Sequence, residues 1–382
     1  MSVHHNARVL RPTCHTALPG DIPTVTEELE RFVVYLENVQ GEGASASKAA
    51  ASWTRLGRAA SGAGEAALCE MTLATARRLA TAGTPDEKDA VKSAARAVVA
   101  FAKTRFELRA GRQLLKMGPR SLLMGIVNVT PDSFSDGGSF FDTRSAIEHG
   151  HGLAREGADI VDVGGCSTRP GAAEVPVEEE LRRVLPVVEA LAAELDVPIS
   201  IDSYQPEVVR RALEAGATIV NDVTGLHVYP ELAGLAAEHG AAMVVMHMKG
   251  TPRTMQKDPV YRDLMSEVSR YLREAVAVAQ EAGLGEDRVV VDPGFGFGKT
   301  VAHNLELLRR LGELRSLGLP IMVGTSRKST IGKVLGTEVD QRTWGTAATV
   351  AVARAAGAMM FRVHDVAQMD QVRRMTDAVF GG

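Results

Sequence analysis

From residue 122 to residue 363 the chain alternates short apolar runs with longer amphipathic stretches. The runs read LLMGIV into Asn128, DIVDVGG into Ser167-Thr168-Arg169, PISI into Asp202, and ATIV into Asn221-Asp222. AMVVM then leads into His247, RVVV into Asp292, PIMVGT into Ser326-Arg327-Lys328, and MMF into Arg362 and His364. Rich in Val and Ile and bounded by turn residues, these runs predict buried parallel strands. Helical stretches separate them, among them Thr143 to Glu156, Val177 to Glu194 and Pro206 to Ala215, with Gly157 and Gly216 standing where helices end on glycine. Eight such units in about 260 residues predict an α/β protein with a closed (β/α)8 TIM barrel. Active sites of that architecture lie at the C-terminal ends of the strands, which is where the polar residues fall. Polar residues that merely open loops account for one or two such positions; they do not account for eight.

Ahead of the barrel the pattern changes. Residues 1 to about 23 show no periodicity, and from Thr24 to about Glu107 the text is Ala-rich. Apolar residues recur at helical spacing, first Leu29, Phe32, Val33 and Leu36, then Leu68, Met71, Leu73 and Leu79. Thr24 with Glu27 fits a capping box, and Pro85 before Asp86 and Glu87 fits a helix first turn. Breaks fall at Gly41-Glu42-Gly43, at Gly62 to Gly64 and at Gly83. The expectation is a small all-α N-terminal region of three or four helices over 1–118, joined at Gly118-Pro119 to a barrel over 119–382. No catalytic or ligand set is visible in the first 118 residues.

Length and composition narrow the function. The 382 residues suffice for two units. A net charge of −4 and 4% aromatic content give no footprint for nucleic acid. Cys14, Cys69 and Cys166 are isolated, which predicts a reducing compartment and no zinc knuckle. No apolar stretch is long enough for a membrane span, and the N-terminus lacks a signal core. A cytoplasmic, soluble protein is expected.

The polar groups at the strand ends fall into two sets. Thr168-Arg169, Ser326-Arg327-Lys328 and Arg362 with His364 put cations and hydroxyls on a common rim, and the planar fork of Arg suits phosphate. Asp202, Asn221 and Asp292 are acids and an amide that could read the edge of a flat nitrogen heterocycle. Asp292 opens DPGFGFGKT, whose glycines allow close backbone approach, but Pro293 stands where a phosphate loop needs its first glycine. His247 has two readings, a buried structural histidine or a site residue. No transition-metal spacing is present; Asn128 beside substrate phosphates would suit a weakly held Mg²⁺. Two long connections, residues 129 to 142 and 165 to 176, predict lids over the mouth.

Taken together, MGIVNVTPDSFSDGG, STRPGA, IDSYQPEV, NDVTG, MHMKGTPRTMQ, DPGFGFGKT, GTSRKSTIG and RVHDV resemble the dihydropteroate synthases, from about residue 120 to the C-terminus. The resemblance implies a transferase of folate biosynthesis that joins 4-aminobenzoate to a dihydropterin pyrophosphate, releasing pyrophosphate. It implies that Asp202, Asn221, Asp292 and Lys328 line a pterin slot flanked by Met246 and Phe297. It implies Asn128 as the Mg²⁺ ligand, with Asn128, Arg169, Arg362 and His364 at the pyrophosphate. Thr168, Ser326 and Arg327 fall where aminobenzoate docks, and Asp202, Lys328 and Arg362 carry the catalysis. A homodimer through barrel helices is also implied, with small-molecule substrates and neither nucleic acid nor membrane as partners.

One departure stands out: Cys166 occupies a position where the family usually has Glu. Two other readings compete. A pterin-binding methyltransferase of the same fold would have no evident use for the cationic clamp. A non-catalytic binding or scaffold paralogue would have no reason to carry the full set of matched residues.

Overall fold

The protein is described from a computed structural model, over residues 7–13, 31–39, 52–58, 65–81, 89–129, 139–166, 175–251, 254–255 and 257–381. The chain divides into two units. The first comprises residues 1–104, 261–270 and 311–319; the second comprises 105–260, 271–310 and 320–382. The division thus falls at residue 104, ahead of Gly118.

In the first unit the all-α expectation is corrected. Four strands, β1 (Ala7–Thr13), β2 (Arg31–Val39), β3 (Ser52–Arg58) and β4 (Glu65–Thr72), form an antiparallel sheet in the order β1-β2-β4-β3. Two helices, α1 (Leu73–Thr81) and α2 (Asp89–Phe101), follow. Phe32, Val33 and Leu36 fit helical spacing, yet in so short a run they fit a strand equally. The β-branched and aromatic content of FVVYL favours the pleated alternative. The second helical set is split: Leu68 and Met71 fall in β4, Leu73 and Leu79 in α1. Leu29, the Thr24–Glu27 box, the glycine breaks and Pro85 lie outside the described residues. Val9 faces Val34 across the β1–β2 ladder, and both are buried with Met71, Leu79, Val98 and Phe101. Arg8, between Ala7 and Val9, is buried as well, its guanidinium 3.2 Å from Asp263 and 3.1 Å from Glu313. The Val9 amide donates to Ser316 Oγ at 2.7 Å.

The second unit holds the barrel. Its strands are β7 (Leu122–Asn128), β8 (Ile160–Gly164), β9 (Ile199–Asp202), β10 (Ile219–Asp222), β11 (Ala242–Met246), β12 (Val289–Asp292), β13 (Met322–Val323) and β14 (Met360–Val363). All eight pair in parallel, in the order β12-β11-β10-β9-β8-β7-β14-β13, and a bridge between Val291 and Ile321 joins the two ends. The helices between them are α3 (Ser139–Arg155), α4 (Val177–Glu194), α5 (Pro206–Glu214), α6 (Leu232–Glu238), α7 (Leu264–Glu281), α8 (Val301–Arg310), α9 (Ser329–Leu335), α10 (Thr343–Ala355) and α11 (Val366–Phe380). Gly157 and Gly216 follow α3 and α5 with φ of +105° and +109°, the left-handed backbone expected of them.

A hairpin of β5 (Phe106–Ala110) and β6 (Gln113–Met117) precedes the barrel. Its Phe106, Leu108 and Met117 share one buried cluster with Leu122, Ile160, Ile219 and Ala242 at the starts of the strands, so the hairpin plugs the lower end. At that end Asp377 of α11 accepts from the Ser121 amide at 3.0 Å and from Arg354 Nε at 2.7 Å. The upper, C-terminal end is left as the mouth. No helix of the described residues is long and apolar enough to cross a membrane.

Candidate active site

Register places Asn128, Asp202 and Asn221 at one level of the rim, with Met246 and Asp292 two residues further along. Asn128 pairs with Gly164, Gly164 with Asp202, Asp202 with Asn221, and Met246 with Asp292. Period-two alternation then turns alternate side chains of each strand inward.

At the centre lies a charged group in which Asp162 and Asn221 are buried and Asp202 and Arg362 partly so. Arg362 Nε donates to Asp162 Oδ2 at 2.6 Å, and its Nη2 donates to Asp202 Oδ2 at 2.7 Å. Asn221 Nδ2 donates to the same Asp162 oxygen at 3.1 Å. Two carboxylates thus share one guanidinium, and Asp162 is fully buried. Burial pushes the Asp202 carboxyl up to about 7; Arg362 pulls it down, while Asp162 and Glu180 push it further up. Asp162 was not singled out from the sequence. Its signal was there: one acid inside a strand that is otherwise apolar, where a charge survives only with a partner.

Lys328, predicted for the pterin slot, donates its Nζ to the Phe295 carbonyl and sits 4.2 Å above the Phe297 ring. Burial pulls its ammonium down to about 8, against the opposite pull of Asp292. Asp292 Oδ1 accepts from the Gly294 amide at 2.7 Å, and burial raises its carboxyl. Met246, Met248, Met255 and Val223 form an apolar cluster against which Phe297 and Tyr204 pack. Predicted Met246 and Phe297 therefore meet, and Tyr204 joins a wall that sequence reasoning had not assigned to it.

On the cationic side, Ser326 is buried and accepts from the His364 amide at 3.1 Å, with His364 Nδ1 at 3.0 Å. Arg327 has φ of +57°, and its guanidinium is held by Asp365, Nε to Oδ2 at 3.1 Å. Asn128 closes β7, neither fully buried nor exposed. Thr168 and Arg169 lie outside the described residues, as does most of each long connection.

His247 follows the first of its two readings and is buried. Its Nδ1 lies 2.8 Å from Lys299 Nζ, and burial holds both groups well toward their neutral forms. The lysine of GFGK therefore turns inward, in keeping with a string that is not a phosphate loop. Cys166 Sγ donates to Glu180 Oε2 at 3.4 Å; Glu180, in the first turn of α4, is itself buried and raised by that burial. Burial and the Glu180 charge push the thiol up to about 12. Among the described residues no His, Cys, Asp and Glu cluster could hold a metal ion.

A closed barrel whose mouth combines paired acids, an amide, a lysine on an aromatic face and an apolar wall defines an enzyme that binds a flat, nitrogen-rich ligand. The family described as pterin binding enzyme matches residues 124–364, and the chain belongs to it. It is similar to the dihydropteroate synthase of Synechocystis sp., 46% identical over 274 residues, which span 72% of this chain and 95% of that protein. Among solved structures it resembles the Xanthomonas albilineans dihydropteroate synthase with 4-aminobenzoic acid. There the TM-score is 0.67 at 45% identity, over 72% of this chain and 98% of that one. The same enzyme in complex with 7,8-dihydropteroate matches with a TM-score of 0.64 at 42% identity, again over 72% and 98%.

Proposed function

We propose that the protein is a dihydropteroate synthase, a transferase of folate biosynthesis. It condenses 6-hydroxymethyl-7,8-dihydropterin pyrophosphate with 4-aminobenzoate to 7,8-dihydropteroate and pyrophosphate. The observation that carries the reading is the meeting of Asp202, Asn221, Arg362 and Asp162 in one bonded group at the barrel mouth.

In this reading the acids accept the pterin's N–H groups and the Asn221 amide both gives and takes a bond. Met246 and Phe297 cover the ring, and Lys328 is held at its edge. The carbon–oxygen bond to the pyrophosphate breaks with its electron pair on oxygen. The lone pair of the aromatic amine forms the new carbon–nitrogen bond, and the amine then loses a proton. Such an amine is a weak nucleophile, so the barrier is met at the leaving group, where each placed cation is worth about 3 kcal/mol. Arg362 has Nε and Nη2 on carboxylates, which leaves Nη1 for a phosphate oxygen; His364 and Arg169 complete that side. Ser326, Arg327 and Thr168 are assigned to the aminobenzoate.

The donor set fits Mg²⁺ as an ion held mainly by substrate phosphates and water. Asn128 supplies a neutral amide oxygen, and among the described residues no acidic cage competes for the ion. When bound, it would neutralise charge developing on the departing pyrophosphate. A homodimer belongs to the same reading, supported by exposed Trp344 (84%) and Val352 on α10 and by Met375, Val379 and Phe380 on α11. A cytoplasmic location is supported by the isolated cysteines.

Steady-state turnover of both substrates, with and without Mg²⁺, tests the function. Dihydropteroate should form and depend on both substrates. A protein that binds the pterin pyrophosphate and never releases dihydropteroate would sink the reading.

A further inference from the structure

Beside the pterin end of the site, the mechanism leaves the buried Lys299 unused. Lys299 is 2% exposed, yet its Nζ has three partners: His247 Nδ1 at 2.8 Å, the Gly294 carbonyl at 2.9 Å and the Phe297 carbonyl at 3.1 Å. Two of these are carbonyls that accept from Nζ, and His247 Nδ1 occupies the third direction, so the polar head is fully partnered. Seating a desolvated amine in a turn is costly, and an apolar chain of the same volume would close the space.

What that turn carries explains the lysine. The segment 293–298 supplies the Phe295 carbonyl that accepts from Lys328 and the Phe297 ring beneath it. Its backbone lies hard against β11: a Cβ at Gly294, φ +66°, would fall 1.9 Å from the His247 carbonyl oxygen. A second tie runs the same way. Asn304 accepts from the Gly296 amide at 2.8 Å and donates to Thr330 Oγ1 at 3.0 Å, on the helix that begins one residue after Lys328.

We propose that Lys299, with His247 as its hydrogen-bond partner, is a positioning pair that sets the 293–298 turn so that it holds Lys328 and Phe297 at the pterin end of the site. The inference rests on the pterin reading above. Lys299 does not touch substrate; it acts through the turn.

The test compares Lys299→Met, His247→Leu and His247→Gln by equilibrium binding of 6-hydroxymethylpterin pyrophosphate and by steady-state kinetics. His247→Gln keeps a hydrogen-bond partner for Nζ, and His247→Leu removes it. Lys299→Met and His247→Leu should weaken pterin binding at least tenfold and raise KM for the pterin substrate. KM for aminobenzoate at saturating pterin should stay within about threefold, and His247→Gln should bind within threefold of the unaltered protein. Wild-type pterin affinity in Lys299→Met would overturn the pairing, as would equal loss of both substrates. Should Lys299→Met fail to fold, the two His247 variants decide: identical affinities would overturn it. Failure of the unaltered protein to bind the pterin pyrophosphate would instead reject the parent reading.

Discussion

Arg362 and Asp162 sit on strands that flank β7, and Nε of the one donates to Oδ2 of the other at 2.6 Å. The same guanidinium reaches Asp202, so Asp162 fixes the direction from which Arg362 approaches the site.

Removing that anchor should be felt twice. Asp162→Ala is expected to destabilise the protein by about 3 kcal/mol in urea unfolding, because the partly buried Arg362 loses a partner and the buried Asn221 an acceptor. It should also lower kcat/KM on the order of 100-fold through misplacement of Arg362 and Asn221. Asp162→Asn, which keeps an acceptor, should fall between. Wild-type kinetics in Asp162→Ala would separate this residue from the site.

The pH dependence follows from two groups displaced toward each other. Asp202, raised to about 7, gains its charge as pH rises through that value. Lys328, lowered to about 8, loses its charge as pH rises through that one. A reaction needing carboxylate and ammonium together gives a narrow bell in kcat/KM with limbs near those values. Asp202→Asn should abolish the acidic limb and Lys328→Met the alkaline one. A profile flat from pH 6 to 9 would contradict both assignments.

Cys166 is expected to be an unreactive thiol. Raised to about 12, it is ionised to about one part in 10,000 at pH 8, so iodoacetamide should label it far more slowly in the folded than in the unfolded protein. Cys166→Ser should retain turnover within about twofold, since it keeps a donor for Glu180. Cys166→Glu would set a second carboxylate beside the buried Glu180 and should lower Tm by several degrees, about 4 °C or more. Rapid labelling of the native protein, read by mass spectrometry, would refute the burial argument.

Arg8 gives a stability prediction in the first unit. Arg8→Met leaves Glu313 buried without its cation and should destabilise by about 3 kcal/mol. Arg8→Met paired with Glu313→Gln should recover part of the loss, as a double-mutant cycle in chemical denaturation would show.

Much of this was legible in the text of the chain. The eight apolar runs became eight strands because a buried parallel strand has few other ways to be written. Asp202, Asn221, Asp292, Lys328 and Arg362 were visible because each ends a run. What stayed hidden depended on tertiary distance. Asp162 looked like one polar letter inside a run until Arg362, 200 residues later, came beside it. Glu180 carried no signal of its own in the sequence, and the fold turns it inward onto Cys166. The N-terminal strands were misread because short amphipathic runs satisfy both periodicities, and the sheet's own pairing breaks the tie.

The first unit is completed by residues 261–270 and 311–319, which come late in the chain. Arg8 meets a partner 255 positions on, and the Val9 amide meets Ser316 after 307. At ribosomal speed the opening strand therefore waits about 15–60 s for the groups that bury it. For that interval its unpaired edge is exposed to other nascent chains and open to chaperones. A strand made long before its partners is among the last to be secured.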